Sequence, residues 1–145
     1  MTILDAYAVI ALLRDEPAAP RVAELLAEGT AALTAVGVAE VLDQLVRNHG
    51  ADEEEATLDL AQLGLLDAHA VDASIGAAAG RLRARHYHRT RCAISTADAI
   101  AAETARANDR PLATSDPHLL AVCRTETIRH LPLPATDGST WTPAG

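Results

Sequence analysis

Four acidic residues carry the chemistry that this sequence suggests most directly: Asp5, Glu40, Asp98 and Asp116. Each lies at or just past a short apolar run typical of a β-strand, or on the helix that follows one. Because the carboxyl ends of parallel strands face one crevice, acids far apart in the chain can meet there. At an effective dielectric of about 20, two carboxylates about 4 Å apart repel by roughly 4 kcal/mol. Such a cluster needs a cation or protons, so a divalent-metal site is the first hypothesis.

The donor set indicates which metal and which reaction to expect. Carboxylate oxygens without His or Cys suit Mg²⁺ or Mn²⁺, which keep several waters in their shell. These ions can activate a water for phosphodiester hydrolysis and stabilise the leaving oxygen. We therefore expect the four acids to form the catalytic set and to hold one or two metal ions, with the three aspartates as the candidate direct ligands.

Each aspartate also has a purely structural explanation. Asp5 precedes a predicted helix and could be its N-cap, and Asp116 before Pro117 has the usual form of a helix start. Asp98 stands three residues after Ser95, where an acid can close a capping box. Capping does not require all of these acids to lie at one edge of a sheet, and their joint position favours the metal site.

Glu40 and three possible helpers leave alternatives open. Glu40 lies early on a predicted helix, and its alternative role is a solvated face on which Asp43 pairs with Arg47. Asp43 could instead assist from outside the metal's ligand shell. Thr114 and Ser95 could orient a water or a carboxylate, but the favoured roles are a buried strand hydroxyl for Thr114 and an N-cap for Ser95.

One segment of the chain is basic. Residues 81–91 hold five of the twelve arginines, interleaved with Tyr87 and two histidines. The segment could bind a single-stranded backbone and stack a base, or it could be a solvated helix end whose cations complement the helix dipole. The spacing His86-x-His88 does not suit a zinc pair on a helix. The RNA-binding candidates are Arg81, Arg83, Arg85, Arg89 and Arg91.

Composition narrows the function classes. The 145 residues are 49% hydrophobic with no Phe, which predicts one domain with an aliphatic core. A net charge of −8 argues against a broad nucleic-acid-binding face. All the basic residues are Arg, which excludes Schiff-base and Walker-type chemistry and disfavours a receiver or phosphatase with an acidic pocket.

The cysteines and the apolar runs indicate a cytoplasmic protein. Cys92 and Cys123 belong to no CxxC pair, so they read as idle thiols in a reducing compartment. The first residues have no signal-peptide pattern, and no run approaches the length of a membrane span. We expect no membrane association.

The elements that must position the acids alternate between strand and helix. This order predicts an α/β fold, a three-layer α/β/α sandwich whose central sheet is mostly parallel and has about five strands. The predicted domain covers residues 1–131, and residues 132–145 form a loose C-terminal tail. The predicted helices are 6–13, 18–28, 36–48, 52–63, 73–85, 95–108 and 116–124. The predicted strands are 2–4, 30–34, 65–71, 112–114 and 127–131.

Four short motifs resemble those of a PIN-domain ribonuclease, in particular the VapC toxins of type II toxin-antitoxin modules. They occur in the family's order and spacing from Thr2 to about Leu131, nearly the whole chain. The motifs are Ile3-Leu4-Asp5-Ala6, Thr34-Ala35-Val36-Gly37-Val38-Ala39-Glu40-Val41, Ser95-Thr96-Ala97-Asp98-Ala99 and Ala113-Thr114-Ser115-Asp116-Pro117.

The resemblance implies a Mg²⁺- or Mn²⁺-dependent endoribonuclease with the four acids at its active site. It further implies a toxin that arrests translation by cutting tRNA, rRNA or mRNA, is silenced by a cognate antitoxin, and forms homodimers. Tyr7 and Gly37 depart from the hydroxyl and polar residues common at their positions. The competing hypothesis is a catalytically inactive PIN-like module that binds RNA or a protein partner, with the acids as helix caps.

Overall fold

The central layer is a four-stranded parallel sheet. The computed structural model describes residues 1–144, with strands β1 (Thr2–Leu4), β2 (Ala31–Ala32), β3 (Leu112–Thr114) and β4 (His130–Pro132). Their order is β2-β1-β3-β4, and every neighbouring pair is parallel. Parallel pairing requires helical crossovers, and these form the outer layers. The predicted α/β/α sandwich is confirmed, with four strands in place of about five.

Seven helices connect and cover the strands within residues 1–144. Most begin at a side-chain cap, such as Asp52 before the fourth helix and Asp72 before the fifth. None of them combines the length and the apolar character needed to cross a bilayer. The helices are α1 (Ala6–Leu13), α2 (Ala19–Ala27), α3 (Ala35–His49), α4 (Glu53–Gln62), α5 (Ala73–His86), α6 (Thr96–Ala107) and α7 (Pro117–Thr125).

Two apolar cores lie on opposite faces of the sheet. Successive strand residues point to opposite faces, so Leu4 and Ala113 pack with α1 to α4, whereas Ile3 and Leu112 pack with α5 to α7. The strands therefore read as continuous apolar runs, because both faces are buried. This burial fixes the strand register, and with it the residues that leave the strand ends.

The predicted strand at residues 65–71 is wrong. Gly64 makes a turn with φ of 75°, and the segment after it contributes a single parallel bridge between His69 and Thr34. His69 N donates to Leu33 O and Ala35 N donates to His69 O, at 2.9 and 2.8 Å. The ladder stops there because Thr34 caps α3 and turns the neighbouring chain into a helix.

The C-terminal segment packs on the domain beyond residue 131. Pro132 belongs to β4, Leu133 is buried, and Leu133 N donates to Thr114 O at 2.9 Å. The Tyr7 hydroxyl donates to Pro134 O at 3.3 Å. The packed part thus includes the start of the predicted tail, and the division of the chain after residue 131 stays a prediction.

Candidate active site

Asp5 is buried at the end of β1 and begins α1. Its Oδ1 accepts a hydrogen bond from Ala8 N at 2.9 Å, and the residue is 8% exposed. Burial raises the pKa of Asp5 from 3.8 to about 7, with smaller contributions from Asp98 and Asp116. Hydrogen bonding to the Thr114 hydroxyl and to Ala8 N acts in the opposite direction. The fold therefore favours the protonated, uncharged form of this carboxyl.

The sheet register places Asp5 beside the end of β3. Leu4 pairs with Ala113, so Asp5 and the fully buried Thr114 follow next to each other. The Thr114 hydroxyl also accepts from Asp116 N at 3.1 Å. Asp116 in turn caps α7, since its Oδ1 accepts from His118 N at 2.8 Å. The aspartates after β1 and β3 are thus joined through one threonine.

Asp98 reaches the same edge from the first turn of α6. It forms a capping box with Ser95: Asp98 Oδ2 accepts from Ser95 N at 2.8 Å, and Ser95 Oγ accepts from Asp98 N at 3.0 Å. Burial raises the pKa of Asp98 against the Ser95 hydrogen bonds, and the charge of Asp116 raises it further. Ser95 therefore has the capping role that sequence left as one of two possibilities.

Glu40 joins the group from the second turn of α3. Burial raises its pKa, followed by repulsion from Asp98 and Asp43. Among residues 1–144, no protein group donates a hydrogen bond to its carboxylate. Asp43 is exposed and bound by Arg47, with Nη2–Oδ2 at 2.8 Å and Nε–Oδ1 at 3.1 Å. Asp43 has the ion pair expected of a solvated face, which leaves the half-buried Glu40 as the acid on α3 whose carboxylate accepts no hydrogen bond from the described residues.

The four acids form one electrostatic group, but they do not form a closed metal cage. Within residues 1–144, no three His, Cys, Asp or Glu side chains are close enough together to enclose an ion. Each aspartate commits one oxygen to a cap, and the second oxygens of Asp98 and Asp116 accept no hydrogen bond from the described residues. A Mg²⁺ or Mn²⁺ ion binds through one or two carboxylates and keeps several waters. The donor set fits such a hydrated ion.

The five arginines of the basic segment differ in their contacts. Arg83 Nε donates to Ile94 O at 2.9 Å, and its guanidinium lies 4.2 Å from the centre of the Tyr87 ring. Its charge lowers the pKa of Asp98. Arg85 is bound to Glu126 at 3.0 Å. The other three candidates, Arg81, Arg89 and Arg91, are exposed.

The Glu126 ion-pair network was not foreseen from sequence. Glu126 accepts from His86 at 2.6 Å, from Arg106 at 2.8 Å and from Arg85 at 3.0 Å. The bond from His86, followed by those from the two arginines, lowers the pKa of Glu126 to about 2 despite the opposing effect of burial. The partners are far apart in sequence, so no local pattern pointed to them.

Two residues beside the acids were also missed. His118 Nδ1 accepts from Ala93 N at 3.1 Å, and so connects α7 to the segment that leads into α6. The charge of Asp116 reaches Cys92, whose pKa is raised mainly by burial. A histidine two residues after a candidate catalytic aspartate was the only available signal for His118.

The two departures from the family pattern have structural roles here. The Tyr7 hydroxyl points to the C-terminal segment, where it donates to Pro134 O. Gly37 N donates to the capping Thr34 Oγ1 at 2.9 Å, and a Cβ at Gly37 would lie 3.3 Å from Leu33 Cδ2. Neither residue offers a polar side chain to Glu40 or Asp5.

Comparisons with known proteins agree with this geometry. FitAcB from Neisseria gonorrhoeae is similar, with a TM-score of 0.64 and 20% identity over 90% of this chain and 96% of that chain. A chain of a toxin-antitoxin complex from Klebsiella pneumoniae is similar, with a TM-score of 0.58 and 18% identity over 83% of this chain and 91% of that chain. No curated protein matches the sequence. At these identities the two solved structures support the fold, while the sequence itself matches the PIN domain family over residues 2–125. The chain belongs to the PIN domain family.

Proposed function

We propose that this protein is a Mg²⁺- or Mn²⁺-dependent endoribonuclease and the toxin of a toxin-antitoxin pair. PIN domains are generally nucleases. The observation that carries the proposal is the meeting of four carboxylates at one sheet edge, where burial, followed by the charges of neighbouring acids, raises the pKa of Asp5, Glu40 and Asp98. Such a cluster destabilises a domain that is only marginally stable, so its presence favours a functional role for these acids. The toxin role is supported by the similar chain from the Klebsiella toxin-antitoxin complex.

The side chains divide the work of phosphodiester hydrolysis. Asp5, Asp98 and Asp116 would hold the metal through oxygens not committed to caps. When bound, the metal supplies Lewis-acid activation of water and neutralises charge on the phosphodiester. Glu40 has a raised pKa and accepts no hydrogen bond from residues 1–144, so it is suited to accept a proton from the attacking water. Burial around Asp5 keeps bulk water from screening these charges.

The proposed biology follows the family resemblance. The RNA would be tRNA, rRNA or mRNA, and its cleavage would arrest translation until a cognate antitoxin binds the protein. We propose that the active form is a cytoplasmic homodimer. Mapping new RNA 5′ ends after inducing the protein without its partner would identify the RNA; intact RNA pools and unchanged growth would contradict the toxin role.

Conservative substitutions test the catalytic assignment. Asp5→Asn and Asp98→Asn keep an acceptor oxygen for capping but remove the charge. We expect both to abolish Mg²⁺- or Mn²⁺-dependent cleavage of a radiolabelled RNA while retaining the circular dichroism of wild type. Asp52→Asn, which changes the exposed cap of α4, is the matched control and should cleave normally. Undiminished cleavage by the first two variants would exclude the mechanism.

An inactive binding module is the second candidate, because all three aspartates have complete capping geometry. Metal titration separates the two. A ligand that binds only the folded state at about 100 times its Kd stabilises by roughly 2.7 kcal/mol. We expect Mn²⁺ to raise the melting temperature of wild type and of Asp52→Asn, and to have little effect on Asp5→Asn. No rise in wild type would favour the binding module.

A further inference from the structure

A small cavity lies beside the acidic site, between α7 and the turn that precedes α6. Its volume is about 160 Å³. One wall is a single face of α7, from His118 to Thr125 with two apolar side chains between them. Arg91, Cys92 and His86 supply the rest of the lining. The cavity therefore follows one face of α7, and we call it the channel.

The channel starts at the catalytic acids. His118 N donates to Asp116 Oδ1 at 2.8 Å, and the charge of Asp116 reaches Cys92 in the lining. The helix rises about 1.5 Å per residue, so the face from His118 to Thr125 extends roughly 10 Å away from Asp116. A polymer whose backbone is cut near Asp116 would meet this channel next.

Hydrogen-bond donors line the channel. Because His118 Nδ1 accepts from Ala93 N at 3.1 Å, the proton of the neutral ring lies on Nε2, which is therefore a donor. Arg91 is exposed and forms no ion pair with any residue among 1–144. Glu126 already binds His86. The uncommitted donors are thus His118, which lies next to Asp116, and Arg91, which lines the same channel.

We infer that His118 and Arg91 hold a phosphate of single-stranded RNA adjacent to the one that is cleaved, so that the strand leaves the acidic site along α7. The inference rests on the proposed function for the identity of the polymer. A chain with a net charge of −8 needs local donors to retain a polyanion, and this pair lines one cavity that begins beside Asp116. Both are positioning residues.

Binding of a short fluorescein-labelled single-stranded RNA tests the channel. Anisotropy is measured in Ca²⁺ at several salt concentrations, and a gel confirms that the RNA stays intact. Arg91→Ala should weaken binding about tenfold and reduce the slope of log K against log salt by about 0.7. Arg110→Ala removes an equal charge at the opposite end of β3 and should change neither quantity.

Replacing His118 should change the affinity for RNA but not its salt dependence. His118→Asn offers Oδ1 to Ala93 N but lacks the distal donor, so we expect about tenfold weaker binding with an unchanged salt slope. His118→Gln presents an amide donor near the position of Nε2 and should recover part of the affinity. Because the measurement is binding, it does not depend on turnover.

Several results would overturn the inference. They are wild-type affinity in Arg91→Ala and His118→Asn, an equal loss in Arg110→Ala, no RNA binding by wild type, or equally tight binding of a polyglutamate peptide of the same charge. The last result would assign the channel to an acidic protein segment. RNA binding with the predicted signatures in Ca²⁺, together with no cleavage of the same RNA in Mg²⁺ or Mn²⁺, would refute the nuclease proposal and leave the channel assignment intact.

Discussion

Replacing Asp5 by Asn should stabilise the protein, and the gain should grow with pH. Asn can keep the Oδ1 acceptor for Ala8 N, and Asn and Asp are about equally good N-caps. The substitution removes the buried charge and its repulsion by Asp98 and Asp116. An exposed cap would give almost no change, because its charge is not buried.

The magnitude follows from the pKa of Asp5. A rise from 3.8 to about 7 corresponds to roughly 4 kcal/mol. The folded chain retains a proton that the unfolded chain releases, so there is no penalty below pH 3.8, a growing penalty up to about pH 7, and a constant one above it. Between about pH 4.5 and 8 the advantage of Asp5→Asn should therefore grow by roughly 3 kcal/mol.

Urea denaturation in EDTA at the two pH values measures this difference. The free energy of unfolding of Asp5→Asn is compared with that of wild type, and Asp52→Asn serves as the exposed-cap control. The control should stay within about 0.5 kcal/mol of wild type at both pH values. Equal stability of Asp5→Asn and wild type at pH 8, or a gain that does not depend on pH, would refute the reasoning.

Two further substitutions test the surroundings of the site. Glu126→Gln should lower the free energy of unfolding by about 1 to 2 kcal/mol at pH 7, as measured by urea denaturation; this value is already reduced for solvent screening. The control Glu24→Gln, which breaks an exposed ion pair, should lower it by less than about 0.5 kcal/mol. Wild type should lose the contribution of Glu126 as pH falls from 4.5 toward 2, and a flat difference would contradict it. Thr114→Val should cost about 1 to 3 kcal/mol, because Asp116 N loses its acceptor. It should also raise the pKa of Asp5 in an NMR titration, and a pKa unchanged from wild type would exclude the threonine bond.

Local signals predicted the elements and most of their starts. Ser95 with Asp98, Asp116 with Pro117, and Asp52 all begin helices as expected, because a cap depends only on residues a few positions apart. The alternation of strand and helix was sufficient for a parallel sheet with helices on both faces. The acids could be placed at one edge for the same reason.

The features that the sequence did not predict depend on tertiary contacts. The segment at residues 65–71 has strand composition, but the cap at Thr34 leaves it only one pairing position. Arg85 was one of five candidates for RNA binding, and its ion pair with Glu126 at 3.0 Å was not expected. The pairing of a charge with a distant partner depends on how α5 and α7 pack, which no periodicity encodes.

The strand order also bears on synthesis of the protein. β1 lies inside the sheet, and six helices are made between it and its neighbour β3. A growing chain that folds from its N-terminus as it leaves the ribosome therefore cannot bring Asp116 to Asp5 until all six of these helices have been made. If its targets are the RNAs of translation, the ribosome making this protein does not face the four acids together before that point.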